Sequence, residues 1–203
     1  MTGRRQAPRL RRVTESDADL LLAWSNDPAT RLASFHPAPI ERTRHLQWLA
    51  ARLASPTTGF WIGEAGGRPI GQIRVEVIAD RVGEISIATA PEARGVGLGG
   101  ALLRAGIEEA GRVLSLVSLL ARVRLDNAAS IALFVGAGFK ERGRTKCFDI
   151  PCVEYELALD RGNRALSRPD QPFSSSCHVT RSKPSSGARN PSRSTPSSGK
   201  SSR

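Results

Sequence analysis

The chain has 203 residues, 39% of them hydrophobic, with Lys+Arg 30 against Asp+Glu 19, a length that suits one domain or one domain with a tail. Residues 161–203 carry 9 Lys/Arg and 1 Asp/Glu, leaving 21 and 18 to residues 1–160. The pI near 11.0 therefore belongs chiefly to the last 43 residues, which argues against a basic fold built around nucleic acid, and no run of about 18 apolar residues offers a transmembrane helix.

Residues 1–9 form a basic arm with no apolar segment behind it, so no secretory signal is predicted. A short strand is expected at 10–13. Thr14-Glu15-Ser16-Asp17 supplies N-cap oxygens ahead of Leu20, Leu21, Leu22, Ala23 and Trp24, which starts a helix. That helix stops at Asn26-Asp27-Pro28, because a residue before proline is pushed out of the helical region. Residues 41–54 read as a second helix, with Leu46, Leu49 and Leu53 at helical spacing.

Strands follow. Residues 59–64 and 70–79, joined by a Gly66-Gly67 turn, read as a hairpin in which Arg74 and Glu76 alternate with Ile73, Val75 and Val77. Residues 82–89 form a further strand, with Ile85 and Ile87 on one face and Glu84, Ser86 and Ala88 on the other. A helix at 98–111, a strand within 114–125, a helix at 127–136 and strands at 139–144 and 153–159 complete a mixed α/β domain over 10–160. The connection from 82–89 through a helix to the next strand suits a right-handed parallel crossover.

Residues 161–203 hold 13 Ser and 5 Pro, and their large apolar side chains are Leu166, Phe173 and Val179. That composition predicts a disordered tail, with nucleic-acid contact as the functional alternative. Cys147, Cys152 and Cys177 are an odd number without metal-ligand spacing, and the three His are far apart. Reduced thiols in the cytoplasm and no bound metal are expected.

The sharpest local signal is Pro91-Glu92-Ala93-Arg94-Gly95-Val96-Gly97-Leu98-Gly99-Gly100, between a strand and a helix. Glycines there expose backbone N–H groups at the positive end of a helix dipole, which suits a phosphate or pyrophosphate. Gly95 to Gly100 satisfies G-x-G-x-x-G, but the dinucleotide fingerprint needs its first Gly directly after the strand and an acidic residue ending the next one. Here Pro91–Arg94 intervenes, and the next strand ends in Arg122-Val123-Arg124. No Lys-Ser or Lys-Thr follows the glycines, so a P-loop is excluded.

Arg94-x-x-Gly97-x-Gly99 after Ile-Ser-Ile-Ala-x-x-Pro resembles the acyl-CoA loop of the GCN5-related N-acetyltransferases (GNAT). Asn127-x-x-Ser130-x-x-Leu133-Phe134-x-x-x-Gly138-Phe139 is similar to that superfamily's second motif, and the likeness spans residues 10–159. It implies a mainly antiparallel mixed sheet with a splayed parallel strand pair and flanking helices. It also implies acetyl-CoA as co-substrate: the backbone of Ile87, Ala88 and Thr89 on the pantetheine, and Arg94 with the N–H groups of Gly95, Val96, Gly97, Leu98, Gly99 and Gly100 around the pyrophosphate. Asn127 and Ser130 would face the sulfur end. Phe134 stands where the superfamily often has a Tyr that protonates the CoA thiolate, and Phe cannot donate a proton.

Attack on a thioester needs a free amine, hence a base. Glu84, on the pantetheine strand and opposite Ile85 and Ile87, is the candidate, acting through a water. Residues 24–31 and 40–48 are similar to a subgroup that acetylates amino groups on nucleotide-linked sugars, as in pseudaminic-acid-type pathways, although that subgroup usually has Arg where Ser25 stands. This implies Asn26, Arg31 and His45 as substrate contacts, the last two toward a diphosphate. The expected function is acetyl transfer to a primary amine of a small molecule by a cytoplasmic monomer or homodimer. A protein N-terminal (ribosomal-protein-type) acetyltransferase and a non-catalytic acyl-CoA-binding protein are the alternatives.

Overall fold

The computed structural model describes residues 7–159. The expectation of a disordered tail at 161–203, and all but the last three residues of the basic arm, lie outside the described residues.

The chain opens with strand β1 (Arg9–Arg12) and a 3-10 turn (Glu15–Asp17), then helices α1 (Ala18–Asn26), α2 (Pro28–Ala33) and α3 (Arg42–Ala54). Strands β2 (Thr58–Ala65), β3 (Arg68–Ala79) and β4 (Val82–Thr89) lead through a 3-10 turn (Pro91–Ala93) to α4 (Leu98–Val113). Strand β5 (Ser118–Arg124), helix α5 (Ala128–Gly136) and strands β6 (Lys140–Cys147) and β7 (Ile150–Ala158) follow. The strands form one sheet in the order β1-β2-β3-β4-β5-β7-β6, antiparallel except for the parallel pair β4·β5. Among the described residues no helix is long and apolar enough to cross a membrane.

Alternation decides which helix covers which face. Ile73 meets α4, where a Cβ on Gly106 would come within 2.2 Å of it. Arg74, pointing the other way, lies under Trp48 of α3 at 5.0 Å from the ring centroid. Leu102, Leu103 and Ala110 of α4 are buried on the first side, and Leu21, Trp24 and Leu49 of α1 and α3 on the second, the leucines each worth about 1.5–3 kcal/mol when fully buried. Strand β7, last in sequence, sits between β5 and β6. Its Cys152, Val153 and Tyr155 are buried, whereas the charged run Lys140-Glu141-Arg142 marks β6 as the edge.

Two segments depart from the sequence expectation. Asp27-Pro28 ends α1 but also starts α2, because the Asp27 carboxylate accepts from the Thr30 N–H at 3.0 Å and Pro28 sits in the first turn, where its missing N–H has no partner to lose. The strands expected at 139–144 and 153–159 grow toward each other until only Phe148-Asp149 separates them, both in the left-handed region at φ 52° and 63°. That backbone suits a two-residue hairpin turn.

Candidate acetyl transfer site

Strands β4 and β5 pair only at Val82↔Ser118, Gly83↔Leu119 and Glu84↔Leu120. Beyond Glu84 they part. Strand β4 stays paired with β3 as far as Gly71↔Thr89, and β5 with β7 as far as Arg124↔Cys152. Ile87, Ala88 and Thr89 therefore turn a backbone edge without a β5 partner toward the gap, the arrangement expected for a pantetheine arm.

The gap leads to the glycine loop. Gly95 and Gly97 take φ 73° and 79°, a left-handed backbone that glycine adopts without steric penalty. Gly97 caps α4, and no side chain caps that helix, so the orphan N–H groups of its first turn are left for solvent or a ligand. A Cβ on Gly95 would meet nothing within 4 Å, and one on Gly99 would stand 3.2 Å from the Thr89 hydroxyl. Leu98, Gly99 and Gly100 form the first turn of α4. A cradle of this kind, lined by backbone at a helix N-terminus, fits a pyrophosphate.

Arg94 points elsewhere. Its Nη2 is 2.7 Å from the Asp27 carboxylate and donates to the Thr30 hydroxyl at 2.9 Å, tying the loop that carries Val96 to the start of α2. Arg94, with help from the Thr30 N–H, holds the Asp27 carboxyl below its ordinary range. Asn127 caps α5 by accepting from the Ser130 N–H at 3.1 Å, which keeps the Asn127 amide NH2 and the Ser130 hydroxyl at the open end of that helix. Phe134 is buried, edge-on to Phe139 at 5.1 Å.

On the face opposite α4, Arg74, Glu76, Ile78, Glu84 and Ser86 line a small concavity of about 100 Å³. Glu84 Oε2 accepts from Arg122 Nη1 at 2.7 Å, and Arg122 Nε donates to Glu154 at 2.9 Å. Burial would lower the Arg122 pKa, but the bond to Glu154 and the charges of Glu84 and Glu154 outweigh it and leave it raised. Arg122 thus sits as a fixed cation between two carboxylates.

The three residues expected to meet the acceptor bind backbone instead. Asn26 donates to the Ile40 carbonyl at 2.9 Å and accepts from its N–H at 2.8 Å. Arg31 donates to the carbonyls of Ser25, His36 and Ala38. His45 is 2% exposed, and its Nε2–H donates to the Ala18 carbonyl; burial pushes its pKa down. A diphosphate would have to displace these bonds. The bonds of Asn26 and Arg31 shape residues 34–40 into a strap, while His45 ties α3 to α1. The strap is tied down further where Arg124 donates to the Ser34 carbonyl at 2.9 Å and where His36 packs on Phe148 of the β6–β7 turn at 4.2 Å.

The Acetyltransferase (GNAT) domain family profile matches residues 9–140. The chain belongs to the GNAT family. Solved structures with this fold include a ribosomal-protein-alanine N-acetyltransferase from Brucella melitensis, 29% identical over 74% of this chain and 99% of that one, TM-score 0.64. An aminoglycoside acetyltransferase in complex with coenzyme A is 24% identical over 74% of this chain and 94% of that one, TM-score 0.66. A spermidine N-acetyltransferase from Vibrio cholerae with CoA and spermine is 17% identical over 75% of this chain and 95% of that one, TM-score 0.67. No curated protein sequence matches the chain.

As a GNAT protein the chain is an acyl-CoA-dependent N-acetyltransferase. The larger surface concavity, about 540 Å³ among Ile107, Gly111, Leu116 and Leu159, lies at the far end of α4, roughly 20 Å from the glycine cradle at 1.5 Å per helical residue. Sequence reasoning missed Arg122 and Arg124 as site residues. Their spacing was visible, but their carboxylate and carbonyl partners come from segments 32 and 90 positions away.

Proposed function

We infer that this GNAT protein moves an acetyl group from acetyl-CoA to a primary amine of a small molecule, by direct attack of the amine on the thioester. The observation that carries the reading is the strap. Held at Ser34 by Arg124 and at His36 by Phe148, it spans from α2 to the β6–β7 turn, where an extended peptide would need an open groove. Acetyl-CoA supplies the activated acyl group. The β4 edge at Ile87, Ala88 and Thr89 binds its pantetheine, and the cradle from Gly95 to Gly100 binds its pyrophosphate.

Amines of the lysine type are protonated at neutral pH, so one proton must leave before attack. Glu84, positioned by Arg122 at 2.7 Å, takes that proton through a water. Phe134 has no hydroxyl, so solvent protonates the departing thiolate. Because Asn26, Arg31 and His45 bind backbone, the nucleotide-linked amino sugar rests on the sequence likeness of residues 24–48 alone, while a compact amine needs none of them. A cytoplasmic monomer or homodimer is part of the same reading.

A second reading, acetylation of a protein N-terminus, is favoured by the 29% identity to the ribosomal-protein-alanine enzyme. The test is release of free CoA thiol by the full chain with a panel of free and nucleotide-linked amino sugars, aminoglycosides, polyamines and peptides beginning with alanine. The expected result is turnover of a small amine at higher kcat/KM than any peptide. Turnover confined to peptides would replace the first reading by the second. Acetyl-CoA binding without turnover of any amine would leave a non-catalytic acyl-CoA-binding protein.

A further inference from the structure

The β6–β7 hairpin carries chemistry that acetyl transfer does not use. Its register sets Cys147 opposite Ile150 and Cys152 opposite Thr145, so the two cysteines occupy diagonal positions on one face. Their Sγ atoms lie 2.9 Å apart, closer than the roughly 3.5–4.0 Å of packed heavy atoms. A disulfide needs about 2.0 Å between sulfurs, so the bond would form with a movement of about an ångström. The Arg122 guanidinium and Cys147 lie within electrostatic reach of each other.

Both thiols are buried, at 4% and 0% exposure, and buried cysteines are commonly inert. This pair has an entry route. It closes the end of a hairpin whose outer strand is the sheet edge and whose turn residue Phe148 is 53% exposed. Such ends open locally at low free energy.

We propose that Cys147 and Cys152 form a redox modification site that takes a hydroperoxide and closes to a reversible intrachain disulfide. The Cys147 thiolate attacks one peroxide oxygen; the O–O bond breaks, hydroxide leaves and is protonated to water, and Cys147 becomes a sulfenic acid. The Cys152 thiolate then attacks the Cys147 sulfur; the S–O bond breaks and a second water forms. Two thiols are oxidised and one hydrogen peroxide is reduced to two waters. A dithiol reductant reverses the bond by exchange through a mixed disulfide.

The test uses the full chain, treated with hydrogen peroxide, alkylated and digested with trypsin. No Lys or Arg lies between Lys146 and Arg161, so one peptide carries both cysteines. That peptide is expected to resist alkylation, to be lighter by two hydrogen atoms, and to recover on treatment with dithiothreitol, while Cys177 stays alkylatable. In Cys152→Ser, Cys147 should stop at the sulfenic acid and be trapped by dimedone. Closure in the folded chain should be at least about tenfold faster than in urea, since the native hairpin brings the two sulfurs together. A doubly alkylated peptide after peroxide, a bond to Cys177 instead, or equal rates folded and unfolded would each overturn the proposal.

Discussion

The glycine cradle between β4 and α4 presents backbone N–H groups, whereas the strap at residues 34–40 is shaped by side chains that reach across the chain. In the cradle every part comes from one contiguous stretch, Val82 to Val113: a strand edge that lost its partner beyond Glu84, two left-handed glycines and a helix without a side-chain cap. On the strap side Asn26 binds Ile40, Arg94 binds Asp27, Arg124 binds Ser34, and His36 meets Phe148. The difference teaches that a backbone cradle is built from groups every residue possesses, while the strap is held by contacts that depend on particular pairs. Arg94 joins the two sides, because the glycine loop is also fastened to the cap of α2.

The strongest way to break this contrast is Gly97→Glu. A carboxylate about 4 Å from a pyrophosphate charge is repelled by about 4 kcal/mol at the effective dielectric of a protein surface, and φ 79° disfavours any side chain. Acetyl-CoA affinity should fall at least about 100-fold by calorimetry, and the thermal stabilisation that acetyl-CoA gives the parent chain should vanish. Unchanged affinity would place the pyrophosphate elsewhere.

Glu84→Gln sharpens the boundary between binding and chemistry. Loss of a positioned base is worth about 10²-fold or more in kcat, with acetyl-CoA affinity unchanged. If kcat holds and only the melting temperature moves, Glu84 serves Arg122 and nothing else.

Asn26→Ala probes the strap side alone. It strands the Ile40 N–H and carbonyl, which costs about 1–3 kcal/mol when such groups are buried. Denaturant unfolding should show that loss, and the KM for the amine should rise while acetyl-CoA binding stays within twofold. An equal effect on both ligands would mean that the strap also supports the cradle.

The smallest effect is in pH. Burial lowers the folded pKa of His45 from its ordinary 6.5, so above that value both states are neutral there and stability is full. As pH falls below 6.5 the unfolded chain takes the proton first, and stability declines until the folded pKa is passed, by up to about 1.4 kcal/mol per pH unit. His45→Gln should flatten that slope between pH 6.5 and 5 in urea titrations. A slope that survives would assign the proton to another group.

Local patterns carried much of this molecule. The run of alternating residues in β3 and β4, the turn at Glu15–Asp17 that starts α1, and the glycines before α4 each state their structure within a few positions, because strand alternation, helix starts and left-handed turns are decided by neighbours. The same locality made the glycine turn ahead of α4 legible. Asp27-Pro28 reads as a stop for α1, and its second role as the start of α2 lies in the Thr30 N–H three residues on.

What the sequence determined by itself, then, is the set of elements and the glycine turn ahead of α4, all governed by short-range sterics and backbone hydrogen bonding. Only the tertiary structure decided that β7 enters between β5 and β6, that Arg94 binds Asp27, that Asn26, Arg31 and His45 shape backbone, and that Cys147 lies 2.9 Å from Cys152. Each of those outcomes depends on which distant segments share a face of the sheet. A side chain's partner is set by packing energies summed over the whole fold, and no local spacing encodes that sum.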